Sequence, residues 1–186
     1  NSPDVDFIAK GARNPQGLTV CGNNVVFSSH GPKGGDEVNF ISLAYDTIPK
    51  NFGWPIASYG THYDGTFGDD APSYAPMYQD HTKYGFSESL IHYTPSVAPS
   101  QIISEPTGAD NNCNNNFNLW LATMGYSDNP GQKSIHKYEI SNIQGISKVI
   151  NEEIFQFNGR IRDIENGSNK IWFWDETNSV LGYLNK

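Results

Sequence analysis

Short runs in which apolar and polar positions alternate recur along this chain in a fixed order, and each run is bounded by Gly, Asn, Asp or Pro. Residues 16–20, 25–29 and 37–43 form one set, with a Gly22-Asn23-Asn24 turn between the first two. Residues 100–104, 119–123 and 134–140 form a second set, with an Asn-rich turn at 111–116. Residues 162–165, 170–174 and 179–184 form a third, with a Gly167-Ser168-Asn169 turn. Period-2 alternation between turn signals predicts β-strands. Each set therefore reads as strand, tight polar turn, aromatic or β-branched strand, longer loop, strand. Two further runs, 148–157 before the third set and 5–9 before the first, read as outer fourth strands.

Repeated four-stranded units predict a β-propeller, whose blades each take roughly 40–50 residues. A β-sandwich of similar strand count is the alternative. The 186 residues hold about three blades plus an insertion at about 44–92 rich in Tyr, Gly, Asp and Pro, which reads as a long structured loop. Propellers need at least about four blades, and no fourth strand follows Leu184. The expectation is thus half a ring, residues 1–186 forming part of one all-β propeller domain. The other half is expected on another chain, or cleaved away, or absent; two copies closing head to tail is a further arrangement.

Composition supports strands over helices: 18 Gly, 11 Pro and 13% aromatic residues, with no long helical period. No apolar run approaches the roughly 18 residues of a membrane span. A formal charge of -8 argues against nucleic acid as a partner. Cys21 and Cys113 are the only cysteines. Their spacing fits no zinc pattern, and both a disulfide and two free thiols remain open.

Arginine usage adds candidate chemistry. The chain has three arginines, Arg13, Arg160 and Arg162, against nine lysines. A guanidinium offers a planar fork to carboxylates and phosphates that lysine cannot copy. On a strand, Arg160 and Arg162 share one face, where they repel unless an anion lies between them. That anion is either a bound ligand or a nearby acid such as Asp36, Asp163 or Glu165. The Gly-Pro and Gly-Gly steps in His30-Gly31-Pro32-Lys33-Gly34-Gly35-Asp36-Glu37 force a tight turn with exposed carbonyls, which suit a hard cation such as calcium.

Five motifs occur in order: Arg13-Asn14-Pro15-Gln16-Gly17-Leu18, then 30–39, Asn51-Phe52-Gly53-Trp54-Pro55, 95–100, and Gly159-Arg160-Ile161-Arg162-Asp163. Together they resemble the soluble quinoprotein glucose/sorbosone dehydrogenase family, which includes the aldose sugar dehydrogenases, over its C-terminal half. The resemblance implies a six-bladed β-propeller with residues 1–186 as its C-terminal half, an aldose substrate oxidised at its anomeric carbon, pyrroloquinoline quinone as cofactor, and Ca2+ bound against it. It implies that Arg13, Asn14, His30, Asp36, Ser96, Arg160 and Arg162 contact the cofactor, and that the carbonyls of Gly31 and Pro32 hold the metal. The N-terminal half of the propeller is the implied partner, and the location is periplasmic or secreted. The family's catalytic histidine falls in that other half, so no catalytic residue is expected in this chain. His62, His81, His92 and His136 lie outside the motifs and read as structural or exposed. Two positions depart from the family: Thr94 stands where a cofactor-stacking tryptophan can occur, and Gly125 where some members place a cofactor-binding lysine. The four tryptophans read as blade packing. A propeller that has lost catalysis and serves as a binding or scaffold module is the alternative function.

Overall fold

The computed structural model describes residues 4–107, 112–125 and 131–186. Strands dominate it. In chain order they are β1 (Ala9–Lys10), β2 (Pro15–Cys21), β3 (Asn24–Ser29), β4 (Asp36–Ser42), β5 (Lys50–Asn51), β6 (Ile91–Tyr93), β7 (Pro99–Pro106), β8 (Asn116–Thr123), β9 (Ser134–Ile143), β10 (Ile146–Gln156), β11 (Ile161–Asn166), β12 (Lys170–Asp175) and β13 (Val180–Asn185). Two antiparallel four-stranded sheets form, β2-β3-β4-β6 and β7-β8-β9-β10, with a three-stranded antiparallel sheet β11-β12-β13. The described residues contain only two single-turn 3-10 segments, at Gly68–Asp70 and Thr82–Tyr84. No helix among them is long and apolar enough to cross a membrane.

The nine strands expected from the three repeats are all present, within a few residues of the expected bounds. The two outer strands are placed differently. Of residues 5–9, only Ala9 joins a strand, and β1 makes a two-residue parallel ladder with β5. The outer strand of the first sheet is instead β6, which pairs with β4 after the whole insertion has passed. The long strand at 148–157 exists as β10 and hydrogen-bonds to β9, closing the second sheet rather than beginning the third. The second outcome follows from hairpin economy: β9 and β10 are joined by a two-residue turn with Gly145 at positive φ, which favours the local pairing; the first has no such local reason.

The three sheets stack face to face. Val26, Val38 and Phe40 of the first pack against Ile102, Phe117, Leu119, Leu121 and Ile140 of the second. The other face of the second sheet places Trp120, Ala122 and Ile135 against Ile161, Ile164 and Ile171 of the third. Strand β3 is buried along its whole length because both of its faces are covered: Val25 and Phe27 point away from Val26, toward Phe52 and the 8–12 segment. The leading strands β2, β7 and β11 run side by side. The Ser28 hydroxyl donates to the Ser100 carbonyl at 2.7 Å, and the Ser100 hydroxyl to the Ile161 carbonyl at 2.7 Å. Sheets arrayed around adjacent inner strands are the local arrangement of a propeller.

Cys21 and Cys113 form a disulfide between the first two sheets. The tryptophans do not all pack between sheets. Trp120 does, but Trp172 and Trp174 are 38% and 40% exposed on the outer face of the third sheet. Trp54 lies under a guanidinium, as described below.

Candidate functional site

One end of the sheet stack collects most of the sequence-predicted residues, and topology is the reason. Strands β2, β7 and β11 all begin at this end, while β3 ends and β4 begins there. The residues that precede each inner strand, and the 30–35 turn between β3 and β4, are therefore neighbours.

Asp36 is the hub. It is buried, and its carboxylate accepts four hydrogen bonds: from the Gly31 amide at 2.9 Å, the Ser96 hydroxyl at 3.2 Å, the Val97 amide at 2.8 Å and the Ala98 amide at 2.7 Å. It thus ties the 30–35 turn of the first sheet to the lead-in of β7. Its lone pairs are turned to these donors, and it pairs with no arginine. Gly31 has no room for a side chain: a Cβ would lie 2.3 Å from the carbonyl oxygens of both Gly34 and Gly35. The turn curls so that backbone oxygens crowd one spot.

Arg13 donates from Nη1 to the Gly31 carbonyl at 3.0 Å and lies 5.3 Å above the Trp54 ring centroid. Trp54 is positioned by the insertion, its amide donating to the Gly11 carbonyl at 2.9 Å. The stacking desolvates one face of the guanidinium and leaves its fork directed at the turn. Asn14 is exposed; its backbone carbonyl accepts from the His30 amide at 2.9 Å. The His30 ring donates from Nε2 to the Pro99 carbonyl at 2.8 Å, a further link between the first two sheets.

Arg160 and Arg162 stand at the start of β11, half-exposed. The anion between them is Glu176. Its Oε1 accepts from Arg160 Nε at 2.8 Å and its Oε2 from Arg162 Nε at 2.6 Å. These two bonds hold the Glu176 carboxyl below the usual carboxylate range, Arg162 contributing most. The sequence-based candidates Asp36, Asp163 and Glu165 make no such bond. Glu176 escaped notice because it follows an aromatic strand, in a turn. The β11–β12 hairpin register, with Ile161 opposite Asp175, places residue 176 beside residue 160 and was the available signal. The Arg160 Nη2 also reaches the Met124 sulfur at 4.0 Å, and the Met124 amide donates to Ala98. Contacts therefore run unbroken from Arg160 through Met124, Ala98, Asp36 and Gly31 to Arg13.

Two clefts open here. One, of about 290 Å³, lies among the inner strands and is lined by Gln16, Ser100, Gln101, Arg162 and Asp163. The other, of about 720 Å³, lies between the turn and the insertion; Pro32, Tyr59, Tyr63, Thr94 and Ser96 are among its walls. Behind the turn, Glu37 is half-buried beside Arg13, His30 and Trp54. Burial pushes its carboxyl up to about 7.

The sequence profile of the glucose/sorbosone dehydrogenases matches residues 4–181, nearly the whole chain. The chain belongs to the glucose/sorbosone dehydrogenase family. Aldose sugar dehydrogenase YliI of Escherichia coli K12 is 42% identical over 57 residues, which is 30% of this chain and 14% of that protein. An uncharacterized protein of Synechocystis is 32% identical over 92 residues, 48% of this chain and 19% of that protein. Among solved structures, the soluble aldose sugar dehydrogenase of Escherichia coli superposes with a TM-score of 0.64 at 21% identity, covering 96% of this chain and 46% of that one. A putative oxidoreductase (glucose dehydrogenase) of Thermus thermophilus gives 0.59 at 22% identity, with 95% and 46% covered. This chain therefore spans less than half the length of each of these relatives, and shares the β-propeller dehydrogenase fold.

Within this member of the family, the two departures have physical accounts. At Gly125, a Cβ would lie 2.3 Å from both the backbone oxygen and the Oε1 of Gln132, so Gln132 fills the space a lysine stem needs. Gln132 is itself fixed, donating from Nε2 to the Ser96 carbonyl at 2.8 Å. Thr94 is exposed and holds the turn, its hydroxyl accepting from the Gly35 amide at 3.2 Å. Of the histidines outside the motifs, His81 and His136 are buried, His62 donates to the Ala75 carbonyl at 2.8 Å, and His92 stacks on Tyr59 at 4.0 Å.

Proposed function

We propose that this chain is the C-terminal half of a six-bladed quinoprotein that oxidises an aldose at its anomeric carbon. The observation that carries the reading is the convergence of all three arginines and the carbonyl-rich 30–35 turn at one end of a sugar dehydrogenase-family fold. The donor set suits pyrroloquinoline quinone with Ca2+. The cofactor's three carboxylates match guanidiniums, and a hard cation matches the backbone oxygens of the Gly-rich turn, of which those of Gly34 and Gly35 crowd at Gly31 and that of Gly31 also accepts from Arg13. When bound, the quinone would supply hydride-accepting chemistry and calcium would supply Lewis acidity.

The residues of this chain bind and orient. Arg13 and Asn14 would face one side of the cofactor, Arg160 and Arg162 the other. The carbonyls of Gly31 and Pro32 would hold the metal. Asp36, Ser96 and His30 would act mainly by fixing the shape of the turn against β7. Glu176 would keep both guanidiniums in place before the cofactor arrives. The base that takes the sugar hydroxyl proton would come from the N-terminal half, covalently attached or separate. The Cys21–Cys113 disulfide supports an oxidising compartment, periplasmic or secreted.

The test is to assemble the chain with its N-terminal half, load calcium and quinone, and run a dye-linked aldose assay. Quinone absorbance with aldose-dependent dye reduction is expected, and the absence of both would refute the reading. Arg160→Ala or Arg162→Ala should weaken quinone binding by about 2–5 kcal/mol, as expected for breaking a charge pair. The sealed space at Gly125 favours a second reading, a propeller that has lost catalysis and serves as a binding or scaffold module. Under it, the arginine variants would leave every binding activity intact.

A further inference from the structure

The opposite end of the stack carries a separate cleft that the dehydrogenase reading leaves unused. It has a volume of about 250 Å³ and lies where the β2–β3 turn, the segment after β4, the entry to β8 and the β9–β10 turn meet. Asn23, Ser42, Tyr45, Asn114, Asn115 and Asn142 are among its walls, and no charged side chain among the described residues lines it.

The floor is fixed. The Cys21–Cys113 disulfide joins the two sheets beneath it, and the Asn24 amide donates to the Cys113 carbonyl. The Asn142 amide nitrogen Nδ2 donates to the Asn114 carbonyl at 3.1 Å, and its backbone amide to Asn115 at 2.8 Å. Asn142 is 2% exposed, yet its Oδ1 has no hydrogen-bond partner among the described residues. A buried amide oxygen without a donor is costly, about 1–3 kcal/mol, and this one is sealed from solvent, so the amides open to a ligand are those of the exposed Asn23, Asn114 and Asn115. At the rim, Tyr45 is 62% exposed and lies against the Gly145 turn, so closely that a Cβ there would be 2.6 Å from the Tyr45 Cβ.

These features select a ligand chemistry. Without an ionised side chain on the described wall, a charged ligand would lose its hydration unpaired. Carboxamides each offer two donors and an acceptor oxygen, which matches hydroxyls that both donate and accept. The exposed tyrosine gives a flat apolar face for C–H groups. The volume equals roughly eight waters, the scale of one pyranose ring. We propose that this amide-lined cleft is a second binding site, for a neutral sugar held without oxidation.

The site is tested with methyl β-D-glucopyranoside and methyl α-D-mannopyranoside. Both lack a free anomeric hydroxyl, so oxidation at that carbon cannot consume them. Saturation-transfer NMR on the protein, followed by titration, should show saturable binding of at least one. Tyr45→Ala, which removes the flat face, and Ala44→Trp, which fills the cleft from an exposed rim position, should each weaken it at least tenfold. Unchanged thermal unfolding would show that both variants fold. No saturation transfer from either glycoside, or binding that survives both substitutions, would overturn the proposal. Loss of dye-linked activity in the assembled enzyme would not bear on it, because the cleft shares no residue with the arginine end.

Discussion

The seam between the first and second sheets and the arginine corner of the third sheet both contain a carboxylate held by several donors, and they differ in almost everything else. Asp36 is 1% exposed and is saturated mainly by backbone amides. Glu176 is bonded to two side chains that are themselves 38% and 47% exposed. Backbone amides cannot reorient, so Asp36 defines the shape of the turn and lead-in around it. Long, partly solvated arginines can reorient, so Glu176 holds a geometry that a competing anion can share or replace. One carboxylate is a fixed pin and the other an adjustable bridge. An end that bound an anionic cofactor, as proposed, would need both: a rigid cradle, and cationic groups that can follow a bound anion.

The contrast can be broken most directly at the pin. Asp36→Ala should cost about 3–5 kcal/mol in urea unfolding, because it strands buried amides as well as removing charge-assisted bonds. A loss under about 1 kcal/mol would equate it with the bridge. Next in size, Cys21→Ser with Cys113→Ser should cost about 2–4 kcal/mol, seen as a lower urea midpoint that matches the wild type under reductant. Third comes pH. Glu37 is raised to about 7, so the folded state holds its proton more tightly than the unfolded one. Stability should therefore fall as pH rises from about 4.5 to about 7, by up to about 3 kcal/mol. Glu37→Gln should flatten that part of the profile. The smallest effect belongs to the bridge. Glu176→Gln should change stability by at most about 1 kcal/mol, as for exposed ion pairs. Because the Glu176 carboxyl is depressed, its contribution is present above about 4.5 and vanishes as pH falls through its lowered value. Wild type and variant should then converge in acid unfolding. A Glu176→Gln cost matching that of Asp36→Ala would abolish the distinction.

How much of this was legible depends on the range of the information. The strands of β2, β3 and β4, of β7, β8 and β9, and of β11, β12 and β13 follow from alternation and turn residues, which are local. The partners of outer strands are not local: nothing near Val5 or Ile91 in sequence says which of them will lie beside β4. The arginine motifs and the glycine turn stood out by composition, and the structure places them at one end. Glu176 and Gln132 did not stand out, and Trp54 stood out only as part of a motif read as packing, because each acts on a residue 16, 7 or 41 positions away across a hairpin or loop. Asp36 was legible as part of the site, whereas its role as a pin depended on where the amides of Val97 and Ala98 arrive.

The outer face of the third sheet also has an optical consequence. Trp172 and Trp174 stand there with Leu181 and Tyr183, all more than a third exposed, while Trp120 is sealed between sheets at 1%. Indole emission moves to shorter wavelength as water is excluded. Any sheet that covers this face would therefore announce its arrival as a blue shift carried by two tryptophans, read against the sealed Trp120 and against Trp54 under Arg13. If the chain closes into a ring with a second half as proposed, these tryptophans would gauge that closure with no label required.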